Sequence, residues 1–206
     1  MHQGVTDRSK RTTRITDHLV FLQVLLAAPG RTGAVAPSSV HLARAMVDGL
    51  TIKPGETVVE FGPGTGAFTA EICRILPSES SYLGIEIEPR FAELLRRRYP
   101  GLLVIQGSAE DAPRLVAEAG CDRLRAIICG LPFGSLSAGV QDRIIRALDV
   151  LVTPGVQFRA VAYVHAYGLP AAVRFRRRMC ETIGPLTRRT MVLRNLPPAY
   201  VLSWSR

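Results

Sequence analysis

The stretch Val58-Val59-Glu60-Phe61-Gly62-Pro63-Gly64-Thr65-Gly66 decides the fold of this chain. It is a β-branched, apolar run that ends at three closely spaced glycines, and helix-like sequence follows. Glycines in such a strand-to-helix turn permit tight turning and a close approach of the backbone to a ligand at the positive end of the helix. On glycine spacing alone, the turn also fits a dinucleotide.

Two carboxylates favour a nucleoside with an amino-acid tail over a dinucleotide. Glu60 lies two residues before the first glycine, where its charge attracts an amino-bearing ligand and repels a pyrophosphate. Glu86 closes the next predicted strand, where a carboxylate can hold both ribose hydroxyls. Glu88 lies beside the helix-starting Pro89, so we assign the ribose to Glu86. The pattern predicts S-adenosylmethionine as the cofactor.

Strands and helices alternate from residue 57 onward. The predicted strands are 57–61, 82–87, 102–106, 125–129, 158–164, 186–195 and 199–205, and the predicted helices are 67–76, 89–99, 112–119, 138–152 and 170–183. Residues 196–198 join the last two strands, and so short a connection forces an antiparallel pair. We therefore expect an α/β fold: a Rossmann-like, seven-stranded, mostly parallel sheet with a C-terminal antiparallel hairpin and helices on both faces.

Composition and charge bound the function classes. The 206 residues are 47% hydrophobic, which excludes wholesale disorder, and no apolar run reaches the length of a membrane span. The net charge is +9, and residues 151–206 hold 9 basic groups and 1 acidic group. Basic chain ends favour a polyanion, either RNA or an anionic membrane. Neither a secretory signal nor CxxC spacing among the cysteines is evident, so we expect a cytoplasmic protein with reduced thiols and no metal.

A family resemblance follows from these motifs. Residues 60–66 and 84–87 resemble the seven-strand S-adenosylmethionine-dependent methyltransferases, in the branch that contains rRNA adenine dimethylases and bacterial phospholipid N-methyltransferases. The resemblance implies that the cofactor, and its product S-adenosyl-L-homocysteine, contact a set of residues on the first three strands. These are Glu60, Gly62 and Gly64 at the amino-acid part, Glu86 and Ile87 at the ribose, and Ser108 and Ala109 at the adenine.

The loop after the fourth strand bears on the substrate. Adenine dimethylases carry an Asn-Leu-Pro-Tyr-like motif there, whose amide holds the exocyclic amine of a flipped base. This chain has Gly130 in place of the Asn, followed by Leu131-Pro132-Phe133. The dimethylases also append a helical RNA-binding domain after the sheet, which we do not expect here. The Gly-Leu-Pro loop and residues 193–200 instead resemble the phospholipid N-methyltransferases, which convert phosphatidylethanolamine stepwise to phosphatidylcholine.

Three functions were compared on these grounds. We expect a phospholipid N-methyltransferase peripherally associated with the inner face of the membrane, with a phospholipid headgroup and an anionic membrane surface as partners and no nucleic acid. The alternative is an rRNA adenine N6-methyltransferase. A non-catalytic lipid-surface protein is the third, and Glu60 and Glu86 count against it.

Several side chains are candidates for work on the lipid. Strand alternation predicts that Tyr163, His165 and Tyr167 share one face, where the tyrosines hold the amine and His165 relays a proton or pairs with phosphate. The alternative is that Tyr163 and Tyr167 fill the edge of the core and that His165 is a hydrogen-bonded structural residue. Phe133 is a candidate wall of the amine pocket, although loop packing explains it equally well. Arg194 is the candidate phosphate ligand. The arginines at 174, 176–178, 188 and 189 form a candidate footprint for anionic lipid.

Residues 1–30 are predicted to form a separate basic, amphipathic, membrane-associating helix before a methyltransferase domain at 31–206. Four basic residues precede an apolar stretch there, whose large side chains are Leu19, Phe21, Leu22, Leu25 and Leu26. The helix either packs on the domain or lies in the interface, with its basic groups at phosphate level.

Overall fold

The structure is a computed structural model that describes residues 38–206. A short helix, α1 (Val40–Val47), precedes the βα alternation and is capped by the Ser39 hydroxyl, which accepts from the Leu42 amide. The alternating elements are β1 (Thr57–Phe61), α2 (Ala67–Ile72), β2 (Tyr82–Glu86), α3 (Pro89–Arg98), β3 (Leu103–Gln106), α4 (Ala112–Glu118), β4 (Leu124–Cys129), α5 (Ala138–Leu151), β5 (Gln157–Tyr163), α6 (Pro170–Thr182), β6 (Arg188–Val192) and β7 (Ala199–Ser205).

The seven strands form one sheet in the order β3-β2-β1-β4-β5-β7-β6. The strands from β1 to β5 pair in parallel, and β7 lies antiparallel between β5 and β6. The predicted fold class is therefore confirmed for the described residues. The strand order reverses between β1 and β4, and ligands of open α/β sheets bind in the crevice outside the carboxyl ends of the strands at such a point.

Each face of the sheet has its own apolar core. Side chains of α4, α5 and α6 pack on one face around Phe61, Leu148 and Trp204. Side chains of α1, α2 and α3 pack on the other around Leu42 and Leu95. Strand alternation therefore decides which core, or which site, each strand residue faces. The helices of the described part are all too short or too polar to cross a bilayer.

The C-terminal hairpin differs from the prediction in its loop. The predicted strand 186–195 contracts to Arg188–Val192, and residues 193–198 form the connection. Asn195 organises this loop because its Nδ2 donates to the Pro197 carbonyl at 2.7 Å while its Oδ1 accepts from the Ser39 amide at 2.8 Å. A buried amide inside the loop competes with continued strand pairing, which sequence alternation does not reveal.

Candidate cofactor and substrate site

The glycine turn after β1 adopts backbone angles that exclude most side chains. Gly62, Gly64 and Gly66 all have positive φ, at 66°, 56° and 86°. The Gly62 amide donates to the Ile85 carbonyl at 2.9 Å, so the turn is fixed to the end of β2. The turn therefore lies at the switch point of the sheet, and its glycines permit a ligand to approach the backbone closely.

Glu86 joins the turn to the second strand. Its Oε2 accepts from the Gly64 amide at 2.8 Å, and its Oε1 accepts from the Glu88 amide at 2.9 Å. The residue is buried, and this burial raises the pKa of its carboxyl, while the amide donors oppose the shift. Each oxygen keeps a second lone pair, so the carboxylate retains the capacity to accept from the two hydroxyls of a ribose.

Glu60 lies beneath the turn, fully buried under α2. Its Oε2 accepts from the Thr69 hydroxyl and from the Tyr82 hydroxyl, each at 2.7 Å. Its Oε1 is buried and has no hydrogen-bond partner within residues 38–206. Burial, the largest cause, raises the pKa of Glu60 to about 7. An orphaned buried oxygen next to the glycine turn fits the amino group of S-adenosylmethionine, reached directly or through water.

The predicted adenine end lies after β3. Ser108 caps the short turn Ala109–Asp111, since its hydroxyl accepts from the Glu110 amide at 3.2 Å, and Ala109 is buried. Glu110 forms a two-pronged ion pair with Arg143 of α5, at 2.7 and 3.1 Å. This pair fixes the loop to the helix, and the separation of 33 residues hides it from sequence inspection.

The loop after β4 passes close to the glycine turn. The Gly130 amide donates to the Phe61 carbonyl at 2.9 Å, and a Cβ at position 130 would lie 3.0 Å from the Gly62 carbonyl oxygen. A side chain here would require the cofactor turn or the loop to shift by a few tenths of an ångström. Glycine at position 130 therefore has a steric explanation, and it also leaves the loop without the amide that an adenine dimethylase uses.

Phe133 lies in the core, 4% exposed, and stacks on Phe175 with ring centroids 3.6 Å apart. Packing accounts for its position, and contact with a substrate amine stays a prediction. Gln141, which the sequence did not single out, holds this loop from α5. Its Nε2 donates to the carbonyls of Phe133, Leu136 and Ala171 at 2.7, 3.3 and 3.0 Å.

The three aromatic candidates after β5 do not share one face, which corrects the prediction from alternation. β5 ends at Tyr163, and the turn Val164–Ala166 breaks the two-residue period. Tyr163 packs on the α1–α3 core and stacks with His165, their ring centroids 5.8 Å apart. Tyr167 packs on the opposite core against Tyr200, at 4.8 Å between centroids. Only the Tyr163–His165 pair therefore forms a compact candidate group.

The basic candidates divide into paired and unpaired groups. Arg194 is exposed in the hairpin loop, at the same sheet edge as the glycine turn, because β7 begins where β5 ends. Three arginines of the predicted lipid footprint on α6 pair with carboxylates of the protein, and their contact with lipid stays a prediction. Arg174 and Arg178 contact Asp142 at 2.7 and 3.5 Å, and Arg177 contacts Glu181 at 3.7 Å. Two carboxylates of the protein therefore offset two of these three positive charges.

Candidate metal ligands do not cluster in the described part of the chain. Within residues 38–206, no group of three or more histidine, cysteine or acidic side chains is placed to hold a metal ion. The predicted interfacial helix, with Leu19, Phe21, Leu22, Leu25 and Leu26, lies outside the described residues.

Comparison with known proteins places this geometry among methyltransferases. The family model "Ribosomal RNA adenine dimethylase" matches residues 38–108, which span β1 to β3 and hence the cofactor half of the sheet. The ornithine lipid N-methyltransferase of Singulisphaera acidiphila is 27% identical over 191 residues, which cover 89% of this chain and 93% of that one. The ribosomal RNA small subunit methyltransferase A of Chlorobium phaeobacteroides is 37% identical over 67 residues, only 32% of this chain and 24% of that one.

Solved structures agree on the fold. The glycopeptide N-methyltransferase MtfA, in complex with S-adenosyl-L-homocysteine, superposes with a TM-score of 0.62 over 89% of this chain and 96% of that chain, at 11% identity. The glycine turn, the strand order and the matched cofactor half all agree with this fold. The chain is an S-adenosylmethionine-dependent methyltransferase with a Rossmann-like seven-stranded sheet, and its residues 38–108 are similar to the ribosomal RNA adenine dimethylases.

Proposed function

We propose that this methyltransferase acts on the amino nitrogen of a membrane lipid, namely phosphatidylethanolamine and its mono- and dimethylated forms, toward phosphatidylcholine. The main support is the difference in extent between the match to rRNA adenine dimethylases and the match to a lipid N-methyltransferase. The rRNA dimethylase model ends at residue 108, before the substrate loops begin. The lipid N-methyltransferase relative matches across those loops as well, over 89% of the chain.

The loop after β4 supports an amine substrate over a nucleobase. Gly130 offers no amide to the Watson–Crick edge of a flipped adenine, and the ring of Phe133 is stacked on Phe175. Base recognition by hydrogen bonding and stacking needs both groups free. An alkyl ammonium headgroup needs neither.

The reaction requires a deprotonated amine, because an ammonium has no lone pair. S-adenosylmethionine, when bound, supplies the methyl group to that lone pair. Tyr163 and His165 flank the end of β5, and burial raises the pKa of the Tyr163 phenol. The Tyr163 hydroxyl therefore stays protonated and holds the amine, and the exposed imidazole of His165 takes the released proton to solvent.

Arg194 and residues 1–30 complete the proposal. Arg194, exposed at the sheet edge that bears the glycine turn, binds the phosphodiester through its guanidinium. Residues 1–30 associate with the membrane at its inner face. Deletion of residues 1–26 is expected to weaken vesicle association, and unchanged pelleting of the truncated protein with vesicles would exclude that role.

The deciding experiment is methyl transfer from labelled S-adenosylmethionine. The full chain is incubated with mixed vesicles that contain phosphatidylethanolamine, with vesicles that contain ornithine lipid, and with ribosomal RNA, and the products are separated by chromatography. We expect label in methylated phosphatidylethanolamine. Label in ornithine lipid alone would mean that the substrate is a different lipid and that the methylated group is still a lipid amine. Label in RNA alone would refute the proposal. The variant His165→Gln should lower kcat more than it changes KM.

A further inference from the structure

Three arginines of residues 151–206 are at least partly exposed and contact no carboxylate within the described part of the chain. Five of the nine basic groups in this segment contact a carboxylate within 4.0 Å: Arg174, Arg177, Arg178, Arg188 and Arg206. Arg159 is buried and donates to the Met46 and Asp48 carbonyls, at 3.1 and 2.7 Å. In the part of the chain that the structure describes, Arg176, Arg189 and Arg194 have no such partner.

Two of these arginines surround one tyrosine. The guanidinium carbon of Arg176 lies 3.6 Å from the centre of the Tyr167 ring, and that of Arg189 lies 5.9 Å from the same centre. Arg176 also donates to the Tyr167 carbonyl at 2.8 Å, and Arg189 lies 5.3 Å from the centre of the Tyr200 ring. The two positively charged guanidinium groups at the Tyr167 ring repel each other because no carboxylate of residues 38–206 pairs with either of them. A bound anion would reduce that repulsion.

A loop with two exposed leucines follows β6, the strand that carries Arg189. Leu193 is 71% exposed and Leu196 is 80% exposed, both in the loop that connects β6 to β7. Asn195, between them, is buried, and both its Oδ1 and its Nδ2 are hydrogen-bonded. These bonds fix the conformation of the loop, in which the two leucines are exposed to solvent. The Val164 amide donates to the Pro198 carbonyl at 2.9 Å, which ties this loop to the turn that carries His165.

We propose that Arg176, Arg189, Arg194, Leu193 and Leu196, here called the hairpin corner, dock the folded domain on an anionic phospholipid bilayer. The leucines enter the acyl boundary and the arginines bind lipid phosphates, the arrangement that favours interfacial binding. RNA would offer phosphates for the arginines and nothing apolar for the two leucines. The inference rests on the proposed lipid substrate, and it adds a docking surface distinct from residues 1–30.

The orientation that results suits the proposed reaction. The hairpin loop lies where β7 begins, opposite the end of β5, because Ala199 pairs with Tyr163. Docking there turns the carboxyl edge of the sheet, with its glycine turn, toward the headgroups. A lipid amine then reaches the Tyr163–His165 pair without leaving the bilayer.

The apolar part is tested on the full chain by sedimentation with vesicles of phosphatidylglycerol and phosphatidylcholine. The variant Leu193→Ser/Leu196→Ser should lower the partition coefficient at least tenfold. The matched control Leu103→Ser/Val150→Ser removes two apolar side chains that are 46% and 62% exposed on β3 and α5, and should change it less than twofold. Affinity for S-adenosyl-L-homocysteine should stay constant in both. Equal effects of the two pairs would overturn the proposal.

The contribution of the arginines in the hairpin corner is tested with a second pair of variants. Arg176→Gln/Arg189→Gln should weaken binding to vesicles with phosphatidylglycerol about tenfold or more and reduce its salt dependence. Arg90→Gln/Arg146→Gln, at exposed positions on α3 and α5, removes the same charge and should have little effect. Unaltered vesicle binding by the first pair, or a loss confined to RNA binding, would overturn it. Vesicle binding that depends on the corner without any transfer of methyl groups to lipid would instead refute the proposed function alone.

Discussion

The Gly64 amide donates a hydrogen bond of 2.8 Å to Oε2 of Glu86, across 22 residues of sequence. The carboxylate proposed to hold the ribose thus also holds the turn proposed to receive the amino-acid part of the cofactor. One side chain couples the two halves of the cofactor site, so its loss should cost more than its contacts with the ribose alone.

The variant Glu86→Gln should weaken binding of S-adenosyl-L-homocysteine by a factor on the order of 100. Hydrogen bonds to a charged group contribute about 1.5–3 kcal/mol each, and an amide NH2 turned toward the Gly64 or Glu88 amide would face another donor. Calorimetric titration measures the affinity. The control is Glu88→Gln, because within residues 38–206 the Glu88 side chain accepts only from the Arg90 amide at the start of α3, at 3.3 Å. Equal losses in both variants would contradict this role of Glu86.

Glu60 should make the stability of the cofactor-free protein depend on pH. Burial raises the pKa of its carboxyl from 4.5 to about 7, so the folded chain binds this proton more tightly than the unfolded chain. The resulting stabilisation is fully present below about pH 4.5, decreases as the pH rises toward 7, and is lost above it. The free energy involved is roughly 3 kcal/mol.

Glu60→Gln removes that proton equilibrium and keeps an oxygen for Thr69 and Tyr82. Urea unfolding at pH 5 and pH 8 should therefore show a smaller loss of stability between the two pH values in the variant. The shift at Glu86 acts in the same direction in both proteins and cancels in the comparison. If the free energy of unfolding changes with pH equally in both proteins, Glu60 is not the group that causes this pH dependence. The same variant should weaken cofactor binding, because the neutral amide no longer attracts an amino group.

What the sequence predicted correctly depends on local constraints. The tight turn at Gly62, Gly64 and Gly66, where φ is positive, follows from the spacing of the glycines, and the parallel pairing of β1 to β5 follows from the βα alternation. The antiparallel hairpin follows from its short connection. Each of these features is decided within a few neighbouring residues.

What the sequence missed depends on contacts between distant residues. Gln141 binds carbonyls on two other segments, up to 30 residues away, and Glu110 pairs with Arg143 at a separation of 33. Alternation failed at His165 because a turn interrupts the strand there. Charge counting likewise identified the arginines of α6 and could not show that two of them, Arg174 and Arg178, share an ion pair with Asp142.

The variant Gly130→Asn should not create an RNA methyltransferase. A Cβ at this position would lie 3.0 Å from the Gly62 carbonyl oxygen, so the added side chain requires the cofactor turn or the loop to shift by a few tenths of an ångström. We expect about tenfold weaker binding of S-adenosyl-L-homocysteine and no label in ribosomal RNA. Gly134→Ala, in the same loop, meets only ordinary contacts from 3.5 Å and is the control. RNA methylation by Gly130→Asn would show that the missing amide alone sets the substrate.

Gln141→Leu should destabilise the fold by about 3 kcal/mol, because a side chain of similar size then leaves the Phe133 and Ala171 carbonyls without their donor. The guanidinium of Arg174 also loses its 3.2 Å contact with Oε1 but keeps Asp142. Urea denaturation measures the change. Gln106→Leu, at an exposed position on β3, should leave the free energy of unfolding within about 0.5 kcal/mol. A similarly small change for Gln141→Leu would mean that water replaces the amide and that the loop after β4 does not depend on it.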